Sequence, residues 1–180
     1  MDKYNSIEII CGPMFSGKTK TLIARVNEVI KKHEKISIFK PFIDDRYSQN
    51  YIVSHDKKRI KCNTINTSEQ ILDYKNDSEI FAIDECQLFD IEIINVCKKL
   101  AENNKRIIIA GLDKDYKAEP FKQMEYLIKL SNHITRLNAI CVKCGDDANF
   151  SYRITDETDL VVIGKDEKYE ARCKKCYYNN

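Results

Sequence analysis

The sequence predicts an α/β domain with a mainly parallel sheet, followed by a small zinc-binding domain. Short apolar runs alternate with helical segments over residues 1–111, and a glycine-rich turn of the phosphate-loop type follows the first run. Two Cys-x-x-Cys pairs lie beyond residue 139. We therefore expect a P-loop nucleotide-binding α/β domain at residues 1–138 and a zinc-binding domain at residues 139–180.

Four apolar runs are the predicted strands of the sheet. Continuous runs of this kind fit strands that are covered on both faces, as in a parallel sheet joined by right-handed crossovers. The runs are "IEIIC" at 7–11, "KISIFK" at 35–40, "EIFAID" at 79–84 and "RIIIAG" at 106–111. A further strand-like run, "LVVIG", lies between the two cysteine pairs.

Two helices are predicted between these strands. The first follows the glycine-rich turn, and its apolar face consists of Leu22, Ile23, Val26, Val29 and Ile30. Asp90 is expected to cap the second helix, whose apolar positions are Ile93, Ile94, Val96, Cys97 and Leu100. The C-terminal "YYNN" is expected to be frayed.

Composition narrows the class of protein. The chain has 180 residues with 30 basic and 28 acidic side chains, and a net charge of +2 argues against a general nucleic-acid binder. No apolar run approaches the roughly 20 residues of a membrane span, and the N-terminus has no signal-peptide pattern. We expect a cytoplasmic protein with no membrane partner, whose cysteines are thiols or metal ligands. Scattered among apolar neighbours, Cys11, Cys62, Cys86 and Cys97 are expected to be buried small hydrophobes.

The glycine-rich turn matches the phosphate-loop pattern of Gly, four residues, Gly-Lys-Thr. Its glycines allow a tight turn whose N–H groups converge on phosphates, and the following helix adds its positive N-terminal end. Lys18 is expected to reach the outer phosphates, and the Thr19 hydroxyl is expected to ligate Mg²⁺. The alternative is a structural loop with a surface lysine. The phosphate-binding segment is Gly12, Pro13, Met14, Phe15, Ser16, Gly17, Lys18 and Thr19.

An acidic pair ends the third predicted strand. The carboxyl end of a parallel strand opens onto the ligand crevice, so Asp84 is expected to bind Mg²⁺ there. Glu85 is placed to accept a proton from a nucleophile that attacks the γ-phosphate. The alternative is a solvated pair that starts a turn, and the pair does not distinguish water from a substrate hydroxyl as the nucleophile.

Four cysteines form two Cys-x-x-Cys pairs separated by 28 residues: Cys141, Cys144, Cys173 and Cys176. Two such pairs supply four thiolates to one tetrahedral Zn²⁺, which would be structural because no coordination position stays open. A redox role for either pair alone is the alternative.

An ordered set of segments connects these motifs with a known family. The set comprises "GPMFSGKT", "DDRYSQN" at 44–50, "SHD" at 54–56, "IDECQLF" at 83–89, "GLDKDYKAEPF" at 111–121, "CVKC", "VVIG" at 161–164 and "KYEARCKKC" at 168–176. Over nearly its whole length the chain resembles the zinc-containing, tetrameric thymidine kinases of bacteria, animals and poxviruses.

This resemblance implies a RecA-like α/β domain with a zinc-binding lasso domain, and ATP-dependent phosphorylation of the 5′-hydroxyl of thymidine in deoxynucleotide salvage. Glu85 would be the general base, with Lys18 and Arg46 acting on the transferred phosphoryl group. Asp44 would join Thr19 and Asp84 near Mg²⁺. The resemblance also implies a homotetramer and feedback inhibition by thymidine triphosphate.

The resemblance further assigns a set of residues around the nucleoside. They are Met14, Leu88, Leu112, Tyr116, Phe121, Ser151, Leu160, Val162, Gly164 and Tyr169. Without it, core packing is the expected role of most apolar members. Leu88, Tyr116 and Lys165 depart from the commoner family pattern, which affects nucleoside preference more than the reaction.

Two other functions are compatible with parts of the sequence. A nucleic-acid-binding ATPase would use the cysteine pairs, flanked by Lys143, Lys174 and Lys175, to bind a strand, but the near-neutral charge argues against it. A GTPase switch is disfavoured because no convincing Asn-Lys-x-Asp motif follows the fourth predicted strand.

Overall fold

The computed structural model describes residues 6–45, 48–159 and 167–179. The strands are, in chain order, β1 (Ser6–Cys11), β2 (Ile36–Pro41), β3 (Tyr51–Val53), β4 (Arg59–Lys61), β5 (Asn63–Ile65), β6 (Ile80–Ile83), β7 (Arg106–Gly111), β8 (His133–Arg136), β9 (Ala139–Ile140), β10 (Asp147–Ala148), β11 (Phe150–Arg153) and β12 (Tyr169–Arg172). The α-helices are α1 (Lys18–Lys31), α2 (Ile93–Glu102), α3 (Lys122–Leu130) and α4 (Lys174–Tyr178), and short 3₁₀ helices span Ser68–Tyr74 and Cys86–Leu88.

Six strands form the central sheet in the order β5-β2-β6-β7-β1-β8, and each neighbouring pair is parallel. Alternate residues of β7 point to opposite faces. Ile107 and Ile109 pack with α2 and α3, whereas Ile108 and Ala110 pack with α1. The sheet is therefore apolar on both faces, which explains the continuous apolar runs of its inner strands.

The four predicted strands are confirmed to within one residue at each end. The edge strands β5 and β8 were not predicted, since "NTI" and "HITR" are short and partly polar. The first helix is confirmed, but its apolar face is narrower than predicted because Ile30 is 46% exposed.

The expectation that Asp90 caps the second helix is wrong. Helix α2 begins at Ile93 with Glu92 as its N-cap residue. The Asp90 carboxylate instead accepts the backbone N–H groups of Ser68 and Glu92 and the Ser68 hydroxyl. Asp90 therefore ties the 3₁₀ helix before β6 to the turn that precedes α2.

The C-terminal part contains the antiparallel pairs β9–β10 and β11–β12, followed by α4. The expectation of a frayed "YYNN" end is wrong for Tyr177 and Tyr178, which lie in α4. Tyr177 stacks on Phe150 at 4.6 Å between ring centres, and its hydroxyl donates to the Tyr116 carbonyl. The predicted strand-like run "LVVIG" at 160–164 lies outside the described residues, and the division after residue 138 stays a prediction.

The cysteines outside the two pairs are buried, as predicted: Cys11, Cys62, Cys86 and Cys97. Burial raises the pKa of all four thiols, to about 11 for Cys62 and about 12 for Cys97. These thiols are protonated near neutral pH and act as small apolar side chains. Among the described residues, no helix combines the length and the apolar character that crossing a membrane requires.

Candidate active site

The phosphate loop connects the end of β1 to the start of α1, as the sequence predicts. Gly17 precedes α1 in the left-handed region at φ 83°, which favours glycine. At Gly12 a Cβ atom would lie 2.2 Å from the Leu137 carbonyl oxygen, so this position also needs glycine. The backbone conformation at Gly17 and the close approach of Leu137 at Gly12 therefore explain the two glycines of the motif.

Lys18 is buried, and its ammonium group lies within the turn of the loop. Its Nζ atom donates to the Pro13 carbonyl oxygen at 2.7 Å. The Ser16 hydroxyl donates to the same oxygen at 2.8 Å. The cationic group is thus held beside the backbone that would surround a bound phosphate.

Thr19 and Asp84 lie side by side at the carboxyl edge of the sheet. The Thr19 hydroxyl is 3.2 Å and 3.4 Å from the two carboxylate oxygens of Asp84. Hydroxyl and carboxylate oxygens are the ligands that Mg²⁺ prefers. These neighbouring oxygen ligands therefore fit a magnesium ion.

Glu85 follows Asp84 in an uncommon conformation. Its φ of 50° is in the left-handed region, and its side chain is buried. The Gln87 amide nitrogen donates to Glu85 Oε2 at 2.6 Å, and Gln87 Oε1 accepts the Leu112 N–H at 2.9 Å. Since a backbone N–H can only donate, the amide oxygen must face Leu112 and its nitrogen must face Glu85.

Gln87 was missed by the sequence analysis, although it lies in a motif quoted there. The amide reaches Leu112 because Gly111 has no side chain: a Cβ there would lie 2.9 Å from Gln87 Oε1. The Gln123 side-chain amide also holds Gln87 in place by donating to the main-chain carbonyl oxygen of Gln87 at 2.7 Å. A polar residue two positions after the acidic pair is the available local signal, and it does not reveal these partners.

Asp44 is held by Lys40, a second residue that the sequence analysis did not single out. Lys40 is 2% exposed, and its ammonium group donates to the Asp44 and Ser48 carbonyl oxygens. The same group lies 3.7 Å from the Asp44 carboxylate. A lysine at the end of an apolar strand was the available signal. Arg46, predicted to lie on this loop, is outside the described residues.

The predicted nucleoside residues come from separate segments, and the structure connects some of them. The Met14 N–H donates to the Ser151 hydroxyl at 2.9 Å, which joins the phosphate loop to β11. Tyr116 and Tyr169 both contact the guanidinium group of Arg153, whose carbon lies 3.6 Å and 5.3 Å from their ring centres.

The other members of this set differ in their placement. Leu88 ends the 3₁₀ helix that follows Glu85, and Leu112 contacts Gln87 as described above. Phe121 packs partly buried against the core around α3, as core packing alone would predict. Leu160, Val162 and Gly164 lie outside the described residues.

The four paired cysteines form one cluster that can hold a metal ion. Their sulfur atoms all lie within 4.8 Å of one another, and the Cys144 and Cys173 sulfurs are 3.6 Å apart. Four sulfurs around zinc would be about 3.8 Å apart, given Zn–S bonds of about 2.3 Å. Backbone N–H groups, first that of Cys173 and then those of Lys143 and Cys144, lower the pKa of the Cys141 thiol to about 6. The number and the spacing of the four sulfur atoms therefore fit zinc.

The family model and the most similar relatives indicate the same family. The family model for thymidine kinase matches residues 5–177. The thymidine kinase of Rhodothermus sp. (strain ITI 518) is 42% identical over 171 residues, covering 95% of this chain and 80% of that protein. The thymidine kinase of Bacteroides thetaiotaomicron is 44% identical over 171 residues, covering 95% and 86%. Among solved structures, domain III of the Thermotoga maritima replication initiation protein DnaA aligns with a TM-score of 0.48 and 16% identity, over 77% of this chain and 57% of that one.

Proposed function

Because the chain belongs to the thymidine kinase family, we propose that it transfers the γ-phosphoryl group of ATP to the 5′-hydroxyl of thymidine. The position of Glu85 carries this proposal. Glu85 is the next residue after Asp84, whose carboxylate contacts the Thr19 hydroxyl. The Gln87 side chain donates to Glu85 and accepts the N–H of Leu112, which is one of the residues assigned to the nucleoside. A proton acceptor thus lies between the groups for the phosphates and those for the acceptor.

The phosphate loop holds the triphosphate of ATP. Its N–H groups and Lys18 bind the phosphate oxygens, and Thr19, Asp84 and Asp44 would hold the accompanying Mg²⁺. When bound, Mg²⁺ neutralises charge that develops on the phosphate oxygens. Lys18 exchanges its bond to the Pro13 carbonyl for bonds to phosphate oxygens. Arg46 would place its fixed donors on the transferred group.

Glu85 accepts the proton of the 5′-hydroxyl as the oxygen attacks phosphorus. Gln87 supports this role by orienting the carboxylate, since its amide nitrogen donates to Glu85 Oε2. The left-handed backbone at Glu85 turns the chain immediately after β6, which presents the carboxylate at the edge of the sheet. Strained backbone of this kind often persists where a function requires it.

The nucleoside lies among Met14, Leu112, Tyr116, Ser151 and Tyr169, with Leu88, Phe121, Leu160, Val162 and Gly164 completing the assigned set. Enclosure matters for a kinase with a small acceptor, because an open site would transfer the phosphoryl group to water. The bond from Met14 to Ser151 supports this arrangement, since it brings β11 against the phosphate loop.

The cysteine cluster holds a structural Zn²⁺ through Cys141, Cys144, Cys173 and Cys176 in this proposal. The buried apolar cluster around it consists of three alanines and two of these cysteines. This buried apolar area is too small to stabilise the fold of the segment alone, so a metal cross-link would supply part of the folding free energy. The zinc therefore contributes folding energy and takes no part in the phosphoryl transfer.

The family also suggests assembly, location and regulation for this chain. We propose a homotetramer in the cytoplasm, active in deoxynucleotide salvage. Thymidine triphosphate would inhibit it by occupying the thymidine site with its phosphates directed towards the phosphate loop. Size-exclusion chromatography with light scattering tests the assembly, and titration of initial rates with thymidine triphosphate tests the inhibition.

The reaction is tested by measuring ATP consumption with Mg²⁺, first alone and then with thymidine, deoxycytidine, deoxyguanosine or single-stranded DNA. We expect turnover with thymidine only, and thymidine monophosphate as the product. Stimulation by DNA without use of thymidine would contradict the proposal and favour a nucleic-acid-dependent ATPase.

A further inference from the structure

The antiparallel pair β11–β12 has two faces with different surroundings. Ser151 and Arg153 alternate with Phe150 and Tyr152 along β11, so the two sets point in opposite directions. The Ser151 side reaches the phosphate loop through Met14. The Phe150 side packs on the aromatic rings of α4. A residue on β11 therefore faces either the candidate active site or the C-terminal helix.

Arg153 lies on the face towards the candidate active site and is 7% exposed. One of its terminal nitrogens donates to the carbonyl oxygens of Glu157 and Asp159, at 2.9 Å and 2.6 Å. The other donates to the Tyr169 hydroxyl at 2.7 Å. The guanidinium group thus joins β12 to the segment that leaves β11.

The same guanidinium group stacks on the ring of Tyr116, 3.6 Å from its centre. The Tyr116 hydroxyl donates to the Thr158 carbonyl oxygen at 3.2 Å, which ties this tyrosine to the segment that Arg153 holds. Three stretches of chain, at residues 116, 157–159 and 169, therefore meet at one buried cation. Two of them carry residues assigned to the nucleoside, Tyr116 and Tyr169.

We propose that Arg153 is a positioning residue that sets the affinity for thymidine by fixing Tyr116 and Tyr169. This inference rests on the proposed function and deepens it. Arg153 acts through the two tyrosines, whereas Lys18 and Thr19 of the phosphate loop serve ATP. A change at Arg153 should therefore weaken the binding of thymidine much more than the binding of ATP.

Lysine cannot replace arginine in this arrangement. Arg153 uses two terminal nitrogens in different directions and lays a flat group on an aromatic ring. A lysine ammonium is a single point charge with no planar surface. It can keep the positive charge, but it cannot both form these hydrogen bonds and stack on the Tyr116 ring.

Arg172 offers a matched control on the same strand pair. It is 3% exposed and lies 3.4 Å from the centre of the Tyr152 ring, so it is also a buried arginine on a tyrosine. Its partners include the Glu170 carboxylate and the Cys176 carbonyl, neither of which belongs to the residues assigned to the nucleoside. Substitution of Arg172 therefore shows how much the loss of a buried, stacked arginine affects thymidine binding when the arginine lies on the face of the strand pair that packs on the C-terminal helix.

The experiment compares the wild-type protein with Arg153→Lys, Arg153→Gln and Arg172→Lys. It measures kcat, KM for thymidine, KM for ATP and zinc content. We expect both Arg153 variants to raise the thymidine KM about 10- to 50-fold, with the ATP KM within about twofold and kcat lowered less than about threefold. For Arg172→Lys the thymidine KM should rise less than about threefold.

Equal increases of the thymidine KM in the Arg153 and Arg172 variants would overturn the inference. So would a parallel rise of both KM values, or loss of ATP binding by both Arg153 variants, since each outcome makes Arg153 a general structural residue. A wild-type protein that does not phosphorylate thymidine would overturn the proposed function and this inference together. An unchanged thymidine KM in active Arg153 variants overturns the inference alone.

Discussion

The sheet region (residues 6–45 and 48–138) and the cysteine region (residues 139–159 and 167–179) hold their shape by different means. The sheet is covered on both faces by clusters of buried aliphatic side chains, in which β7 alternates between the two. The buried apolar cluster of the cysteine region has five members, and two of them are cysteine thiols. Hydrophobic burial therefore stabilises the first region, whereas the proposed zinc site and buried arginines would stabilise the second.

This difference follows the division of labour proposed for the active site. The groups proposed to bind ATP and to transfer the proton, Lys18, Thr19, Asp84 and Glu85, all lie in the sheet region. The residues proposed to bind the nucleoside come from both regions, and two of them, Ser151 and Tyr169, lie on the strand pair of the cysteine region. Perturbing the cysteine region should therefore weaken the use of thymidine more than the use of ATP.

The largest effect is expected at Glu85, where Glu85→Gln keeps the shape of the side chain and removes its function as a base. We expect kcat to fall by about two to four orders of magnitude, while ATP binding stays within about twofold. Initial rates with saturating thymidine and ATP measure kcat, and calorimetric titration with ATP measures ATP binding. Glu28→Gln on the exposed surface of α1 is the control, and near-normal turnover of Glu85→Gln would remove Glu85 from the chemistry.

Ile109→Ala tests whether hydrophobic burial supports the sheet region. Ile109 is fully buried at the centre of β7, so truncation should leave a cavity and lower the free energy of unfolding by about 2–5 kcal/mol. Urea unfolding measures this change, and zinc content should stay at one ion per chain. The matched control, Ile91→Ala at a half-exposed position, should cost less than about 1 kcal/mol. A similar loss for both variants would contradict the role given to burial.

Cys144→Ser makes the corresponding test in the cysteine region. Loss of one thiolate should release the metal and raise the thymidine KM about 10-fold or more, with ATP binding within about twofold. Elemental analysis and steady-state kinetics measure these two effects. Cys62→Ser removes a thiol outside the cluster and should retain zinc. Full zinc content in Cys144→Ser would contradict binding by four thiolates.

Features that depend on a contiguous stretch of chain were predictable from the sequence. The phosphate loop, the Asp84–Glu85 pair and the inner strands follow from local spacing and apolar runs. The structure places the loop and the acidic pair at the carboxyl ends of two inner strands of a parallel sheet. The cysteine cluster was also predictable, because each pair supplies two ligands from adjacent turns of chain.

Features that depend on contacts between distant residues were missed. Gln87 acquires its role from Leu112, 25 residues away, and Arg153 acquires its role from Tyr116 and Tyr169. The signal from Lys40 was weak because a lysine at a strand end is usually solvated, and only the fold reveals that its ammonium group donates to the Asp44 and Ser48 carbonyl oxygens. The C-terminal residues were expected to be frayed as chain ends usually are, but Tyr177 and Tyr178 pack on Phe150, which is distant in sequence.

Ser151→Ala tests the connection between the two regions. Removing the hydroxyl leaves the Met14 N–H without its acceptor, which should raise the thymidine KM about three- to tenfold and change the stability of the sheet region little. Ser151→Thr keeps a hydroxyl and should restore most of the affinity. Kinetics of the two variants side by side provide the measurement. Equal kinetics of the alanine and threonine variants would show that the bond does not couple the regions.

The smallest effect is expected at Asp90, a polar link inside the sheet region. Burial opposes ionisation of this carboxyl, but hydrogen bonds from Ser68 and Glu92 outweigh it and lower the pKa of Asp90. A lowered pKa in the folded state means that the link stabilises the protein above about pH 4, and that this contribution is lost as the pH falls through the folded-state pKa. Asp90→Asn should therefore cost about 1 kcal/mol near pH 7, and less towards pH 3.

Urea unfolding of the wild type and Asp90→Asn at pH 7, 5 and 3 measures this dependence. A cost much smaller than that of Ile109→Ala would show that burial outweighs polar links in the sheet region. A cost that does not change with pH would show that shape rather than charge makes Asp90 useful. In the cysteine region we expect the opposite ranking, with polar and thiol side chains contributing more to stability than apolar burial. There the hydrogen-bond partners of Arg153 and the four thiols take the place of the aliphatic core that the sheet region has.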